Sequence, residues 1–243
     1  TGQRLTIPGW SQDDSSHHLA ISGLQLSSKS PIQGRVLMMS FPSVDIRDPS
    51  GFFGPWKITF FREDDRYAGI VGSYVLAEPG EYTLEIEAIN IEGKSIRHLD
   101  HLTLLAGDYG YEEITLSSSK SSLLSQEKIV SEQQRVAAVV MPVTQHRYWE
   151  GVFHPPSFGD ITSSFGTRRS YNGGPYNSYH GGVDFSSLSG SLISAPATGR
   201  VVLAEALEVR GNTTIIDHGW GIYSAYLHQS HIIVSVGDIV HRG

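Results

Sequence analysis

Cysteine is absent from this 243-residue chain. That excludes disulfides, thiolate metal ligands and a cysteine nucleophile, so a bound metal has to be held by histidine and carboxylate. Long apolar runs are missing too: no stretch approaches the roughly 20 residues that a membrane-spanning helix needs. No charged-then-apolar leader opens the chain, although Thr1 is not an initiator residue and a leader ahead of it stays open. Basic charge is scarce, with 18 Lys and Arg against 25 Asp and Glu, a net charge of −7, and no basic run longer than Arg168-Arg169. Phosphate backbones are bound by clustered cations, so no nucleic-acid partner is expected.

What the chain does have is apolar content of 39%, enough for one large or two small domains. Period-two alternation runs through residues 17–116 and is cleanest at Glu81-Tyr82-Thr83-Leu84-Glu85-Ile86-Glu87-Ala88, where Tyr82, Leu84, Ile86 and Ala88 share a face. Further strands are expected at 19–22, 35–41, 57–61, 70–76 and 99–105, separated by turn residues such as Asp48-Pro49-Ser50-Gly51 and Glu78-Pro79-Gly80. Short strands at this spacing predict a β-sandwich over residues 1–116, and its Pro-Gly-x-Tyr-x-Leu run resembles a late strand of immunoglobulin-like modules. A Ser-rich stretch and a helix over 126–140 fill residues 117–144, with Ser125 as N-cap, Glu127 in the first turn and Pro142 as terminator. From 145 to 243 a Gly-, Tyr-, His- and Pro-rich entry gives way to strands expected at 192–194, 199–204, 213–217, 222–227 and 232–234.

The densest chemistry lies in Tyr179-His180-Gly181-Gly182-Val183-Asp184-Phe185. Positions i and i+4 of a strand face the same side, so His180 and Asp184 can converge on one ion, and the two glycines leave room for a substrate backbone. A hydrolytic zinc needs about three protein ligands and an open position. Taken alone, this spacing is equally that of a turn histidine near an unrelated surface aspartate.

The flanking segments add context: Ser164-Phe165-Gly166-Thr167-Arg168 upstream, then Ala195-Pro196-Ala197-Thr198-Gly199-Arg200, Asp217-His218-Gly219-Trp220-Gly221, Tyr226-Leu227-His228 and Val236-Gly237-Asp238-Ile239-Val240. In this order, over about Phe158 to Gly243, they resemble the lysostaphin-like (M23) family of zinc endopeptidases that cut peptidoglycan crosslinks. Together with the immunoglobulin-like β-sandwich and the helical linker read above, a mainly β chain is expected, in which the resemblance implies a mostly antiparallel β peptidase domain. It also implies Zn2+ as cofactor, His180 and Asp184 as metal ligands, peptidoglycan as substrate, and a place outside the cytoplasmic membrane. His228 matches the family's non-ligand active-site histidine, which orients water or stabilises an oxyanion; the plainer reading is a strand histidine satisfied by a carbonyl. Gln229-Ser230 follows it where Leu-Ser is common in the family.

Arg168, Tyr171 and Asn172 are expected on a long loop at the groove rim, holding a stem-peptide carboxylate and lining the cleft, or else serving the loop alone. His218 reads as structural, because glycines on both sides of Trp220 mark a hairpin turn. The family's last ligand comes from a His-x-His pair beyond the Val236-Gly237-Asp238 turn, so residues 1–243 are expected to be inactive by themselves. Two rival readings remain: a non-catalytic member of the same fold that binds wall or activates an amidase, and an adhesin whose function lies in the N-terminal domain.

Overall fold

The structure is a computed structural model and describes residues 21–115 and 126–243. The proposed N-cap Ser125, the Ser-rich stretch, His17-His18 and the first residues of the 19–22 strand lie outside the described residues. Two compact units emerge: one takes the chain to Ser73 together with Glu78–Leu105, the other Tyr74–Ala77 together with Ala106–Gly243.

The first unit is a seven-stranded sheet built from β1 (Gln25–Leu26), β2 (Val36–Pro42), β3 (Ile46–Phe53), β4 (Trp56–Glu63), β5 (Arg66–Gly72), β6 (Gly80–Asn90) and β7 (Ser95–Leu104), in the order β1-β2-β5-β4-β3-β6-β7. Strand β4 is shared along its length. Its first residues pair with β3 and its later residues, from Thr59, with β5, so the sheet curls about it. Alternation places Leu84, Ile86 and Ala88 inside, as expected, with Leu37, Met39 and Phe41 of β2 and Phe53, Ile58 and Phe61. Each of these side chains larger than alanine contributes about 1.5–3 kcal/mol by leaving water.

Asp48-Pro49-Ser50-Gly51 is not the turn the sequence predicts; it lies inside β3. Register against β6 slips between Arg47 and Ser50, and Asp48 takes a φ of 52°. The turn-forming residues are absorbed as a bulge, and Pro49, with no N–H to give, sits at the break in the ladder.

The second unit holds β8 (Tyr111–Ile114), α1 (Gln126–Val140), β9 (Ile161–Ser163), β10 (Arg168–Tyr171), β11 (Ser178–Tyr179), β12 (Asp184–Phe185), β13 (Gly199–Leu207), β14 (Gly211–Asp217), β15 (Tyr223–Gln229) and β16 (Ile239–Val240). They form three sheets: β11-β10-β8, with β8 and β10 parallel; β12-β9; and an antiparallel β15-β14-β13-β16. Helix α1 spans the predicted residues and docks through charge. Arg135 grips Glu205 at 2.8 and 3.0 Å, Lys128 pairs with Glu208, and the buried Glu132 pairs with Arg210 at 2.8 Å. The expected strands at 192–194 and 232–234 do not form.

Residues 142–149 strap the β14–β15 hairpin. The Trp220 amide donates to the Thr144 carbonyl at 2.7 Å, the Tyr148 amide to the His218 carbonyl at 2.9 Å, and the Trp220 indole to the Gln145 carbonyl at 3.0 Å. Arg147 lies over the rings of Trp149 and Trp220, at 4.9 and 5.1 Å. Gly219, at φ 86°, has no room for a side chain, because a Cβ would stand 1.9 Å from the His146 carbonyl oxygen.

Candidate metal centre

A straight strand rises about 3.3 Å per residue, so residues four apart would stand about 13 Å apart, too far to share an ion. His180 and Asp184 are not on one strand. His180 follows β11, which pairs with β10, and Asp184 opens β12, which pairs with β9. The chain leaves one sheet and joins the next across Gly181-Gly182-Val183. That bend brings His180 Nε2 to 3.2 Å from Asp184 Oδ1. The two side chains do meet, and the cause is the bend rather than a shared strand face.

His180 is held on every side. Its amide donates to the Thr167 carbonyl and its carbonyl accepts from the Gly166 amide, both at 2.8 Å. Nδ1 lies 3.2 Å from the Ser164 carbonyl and 3.1 Å from the Ser163 hydroxyl. A carbonyl can only accept, so in the neutral ring the proton belongs on Nδ1 and Nε2 keeps its lone pair. Two acceptors, Nε2 and Asp184 Oδ1, then face each other with no donor between them. Nitrogen and oxygen ligands at about 2.0–2.2 Å on a tetrahedral zinc lie about 3.3 Å from each other, so the pair fits two vertices of such a site, with Ser164 as the orienting partner. The imidazole is mostly buried and the carboxylate more than half exposed. Among the described residues, no group of three or more His, Asp or Glu side chains gathers.

His228 lies in the other sheet, and among the described residues no hydrogen bond or ion pair joins it to His180 or Asp184. It occupies a bulge: Asn212 is opposite Gln229 and Thr214 opposite Tyr226, so Leu227 and His228 together face Thr213. His228 has φ 55°, and its amide donates to the Arg210 carbonyl at 3.0 Å. His218 is fully buried, with Nδ1 2.9 Å from the Thr198 carbonyl and Nε2 2.8 Å from the Ser224 hydroxyl. Burial is the main cause that pushes its pKa down, against opposing pulls from the Thr198 carbonyl and Asp217. Both ring nitrogens are spent on structure, as the hairpin reading implies.

Arg168 and Tyr171 are strand residues rather than loop residues, because β10 pairs with both β8 and β11. The Arg168 guanidinium donates to the Val75 carbonyl at 2.8 Å and stacks 5.3 Å above Tyr109. Tyr171 is partly exposed, and Asn172 turns the chain at φ 53° with its amide on the Ile114 carbonyl. Arg168 is thus committed to Val75 and Tyr109, and among the described residues neither it nor Tyr171 is hydrogen-bonded to the His180–Asp184 pair. An open cavity of about 880 Å3 begins two residues past Asp184, lined by Pro156, Phe158, Asp160, Ser186, Ser187 and Leu188 among others. The orienting role of Ser163 and Ser164 was not readable: the Ser-Phe-Gly-Thr-Arg run was visible, but a carbonyl's aim is not written in its residue type.

Comparison with known proteins gives the His180–Asp184 pair a context: residues 178–243 match the model of Peptidase family M23. Over 106 residues the chain is 34% identical to the outer membrane antigenic lipoprotein B of Haemophilus influenzae, covering 43% of this chain and 23% of that one. Against two peptidoglycan DD-endopeptidases of Vibrio cholerae, ShyB and ShyA, identity is 29% over 87 residues and 34% over 83. Those alignments cover 36% and 34% of this chain and 20% and 19% of the relatives, so the chain spans about a fifth of the curated proteins it matches. A crystal structure of a putative M23 peptidase from Pseudomonas aeruginosa superposes with a TM-score of 0.60 at 23% identity, over 88% of this chain and 79% of that one. That likeness concerns the fold.

Proposed function

We propose that this protein is a zinc-dependent endopeptidase that hydrolyses peptide crosslinks of bacterial peptidoglycan, outside the cytoplasmic membrane. The observation that carries the reading is the His180–Asp184 pair, an imidazole nitrogen and a carboxylate oxygen 3.2 Å apart inside the segment that matches an M23 peptidase. The names of two relatives supply the substrate class. Among the described residues no helix is long and apolar enough to cross a membrane. The N-terminal unit, read as immunoglobulin-like, spaces or orients the catalytic unit on the wall.

Bound zinc would polarise the scissile carbonyl and make water nucleophilic near neutral pH. His180 and Asp184 supply two of its ligands, and a third comes from elsewhere in the protein. The Ser164 carbonyl fixes the imidazole tautomer, so Nε2 is presented without a rotation to be arrested during binding. His228 holds or moves the proton at the reacting centre, and the cavity past Asp184 takes a stretch of stem peptide. Arg168, Tyr171 and Asn172 shape the wall from which that peptide approaches.

The test is zinc stoichiometry by mass spectrometry on the full-length protein, with digestion of purified sacculi and identification of the released peptides. His180→Ala and Asp184→Ala should each lose the metal and reduce cleavage by about a hundredfold or more. Metal bound with no new peptide ends would favour the non-catalytic reading. No metal in the unsubstituted protein would refute the proposal.

A further inference from the structure

We propose that Glu132 of the linker helix is a positioning residue for His228, acting through the turn between β13 and β14. The inference rests on the reading of His228 as the proton-handling imidazole.

Glu132 is one of two buried carboxylates among the described residues, with Asp217, and its side chain is 8% exposed. Its two oxygens are spent on consecutive residues of one turn: Oε1 accepts the Val209 amide at 2.6 Å and Oε2 the Arg210 guanidinium at 2.8 Å. The other side of that turn holds His228. The Arg210 carbonyl accepts the His228 amide at 3.0 Å, and the next residue, Gly211 at φ 64°, leaves the imidazole space that a Cβ would narrow to 3.4 Å from Nδ1.

Two further contacts staple the turn. The Thr213 hydroxyl donates to the Gly211 carbonyl at 3.0 Å, and the Asn212 side-chain amide to the carbonyls of Gln229 and Ser230. His228 needs such support because it stands in a bulge with φ 55°, a conformation an L-residue holds only when its surroundings over-determine it. Burial alone would raise the Glu132 pKa, yet the Val209 amide and Arg210 together hold it below the ordinary carboxylate value, so the anion is the form the turn selects. The helix thus reaches across the β13–β14 turn to set the backbone of the residue assigned to proton handling. Loss of Glu132 leaves Val209 N–H and Arg210 without their acceptor and frees the Arg210 carbonyl to move.

The experiment compares Glu132→Ala, the milder Glu132→Gln, which keeps an acceptor for the Val209 amide, and Arg135→Ala, which breaks a different ion pair of the same helix. Amide hydrogen exchange by NMR on the 243-residue chain reads the His228 amide directly, without metal or substrate. Steady-state cleavage by the full-length protein reads the consequence. Glu132→Ala should speed His228 exchange about tenfold and lower kcat about tenfold at unchanged KM, with Glu132→Gln between it and the unsubstituted protein and Arg135→Ala silent at His228. An unmoved His228 amide in folded Glu132→Ala overturns the inference, as does a freed amide with unchanged kcat. His228→Ala separates the two levels: if it keeps full activity, the reading of His228 has failed and the inference falls with it. If it is inactive while the Glu132 variants are normal, only the inference fails.

Discussion

Replacing Gly219 by alanine tests the strap over the β14–β15 hairpin. Two costs are separable. An alanine at φ 86° sits in the left-handed region, which costs about 1–2 kcal/mol. Its Cβ would also stand 1.9 Å from the His146 carbonyl, which is backbone and cannot swing aside, so the strap must lift. Lifting breaks at least the Trp220–Thr144 and Tyr148–His218 backbone hydrogen bonds, each worth about 0.5–1.5 kcal/mol net. The sum is about 2–5 kcal/mol. Gly190 is the control: its φ is 88°, but nothing lies within 4 Å of its Cβ position, so Gly190→Ala carries only the conformational cost. Urea unfolding followed by tryptophan fluorescence suits the question, because Trp149 and Trp220 flank Arg147 in the strap. The chain has two units, so the transition of the second must be resolved before a midpoint is assigned. Equal destabilisation by the two substitutions would refute the strap argument.

Three further outcomes follow from packing and charge. Phe41 and Phe53 have no exposed surface, and Phe53→Ala should destabilise the first unit by about 3–5 kcal/mol in the same unfolding assay, leaving the transition of the second unit unmoved. Because the Glu132 pKa is depressed in the fold, its stabilisation is present above the unfolded carboxylate value of about 4.3 and is lost as pH falls through the lower folded value. The stability gap between the unsubstituted protein and Glu132→Gln should therefore shrink below about pH 4 in urea titrations at stepped pH. The Tyr226 phenol, pushed up to about 12 by burial against a smaller opposing hydrogen bond with Ser224, stabilises the fold below its unfolded value of about 10 and loses that contribution as pH rises through 12. Ultraviolet titration should show a late tyrosinate step that Tyr226→Phe removes.

Much of the fold was legible where one rule governed the residues. The alternation at 81–88 buries Leu84, Ile86 and Ala88, and the helical spacing of Gln126–Val140 gives the helix with its predicted ends. It failed where local chemistry met long-range pairing. Asp48-Pro49-Ser50-Gly51 is good turn sequence, but β6 and β4 claim it as strand. Leu192 to Ser194 is a short, largely apolar run of the kind a strand uses, yet it finds no strand partner. At the site, His180 and Asp184 were singled out by their spacing only together with the ordered motifs around them, while the bend that joins them depends on two sheets meeting at Gly181-Gly182. Arg168 reads as a free cation near a groove; its bond to the Val75 carbonyl spans 93 residues, and no periodicity records it. The bulge at His228 is equally hidden, because Tyr223–Gln229 alternates like any strand.

Strand β8 gives the chain an unexpected seam. The first unit ends at Leu105, but Tyr111–Ile114 runs parallel to Arg168–Tyr171, with Glu112 and Arg169 paired across it at 2.9 Å. A gene fusion or excision made in the Ser-rich stretch after residue 116 would therefore carry off a strand that belongs to the partner module and bare one edge of β10. A crossover between Leu105 and Tyr111 keeps that strand with its own sheet, although it still parts Arg168 from the Val75 carbonyl, which lies in a short excursion of the first unit's chain into the second.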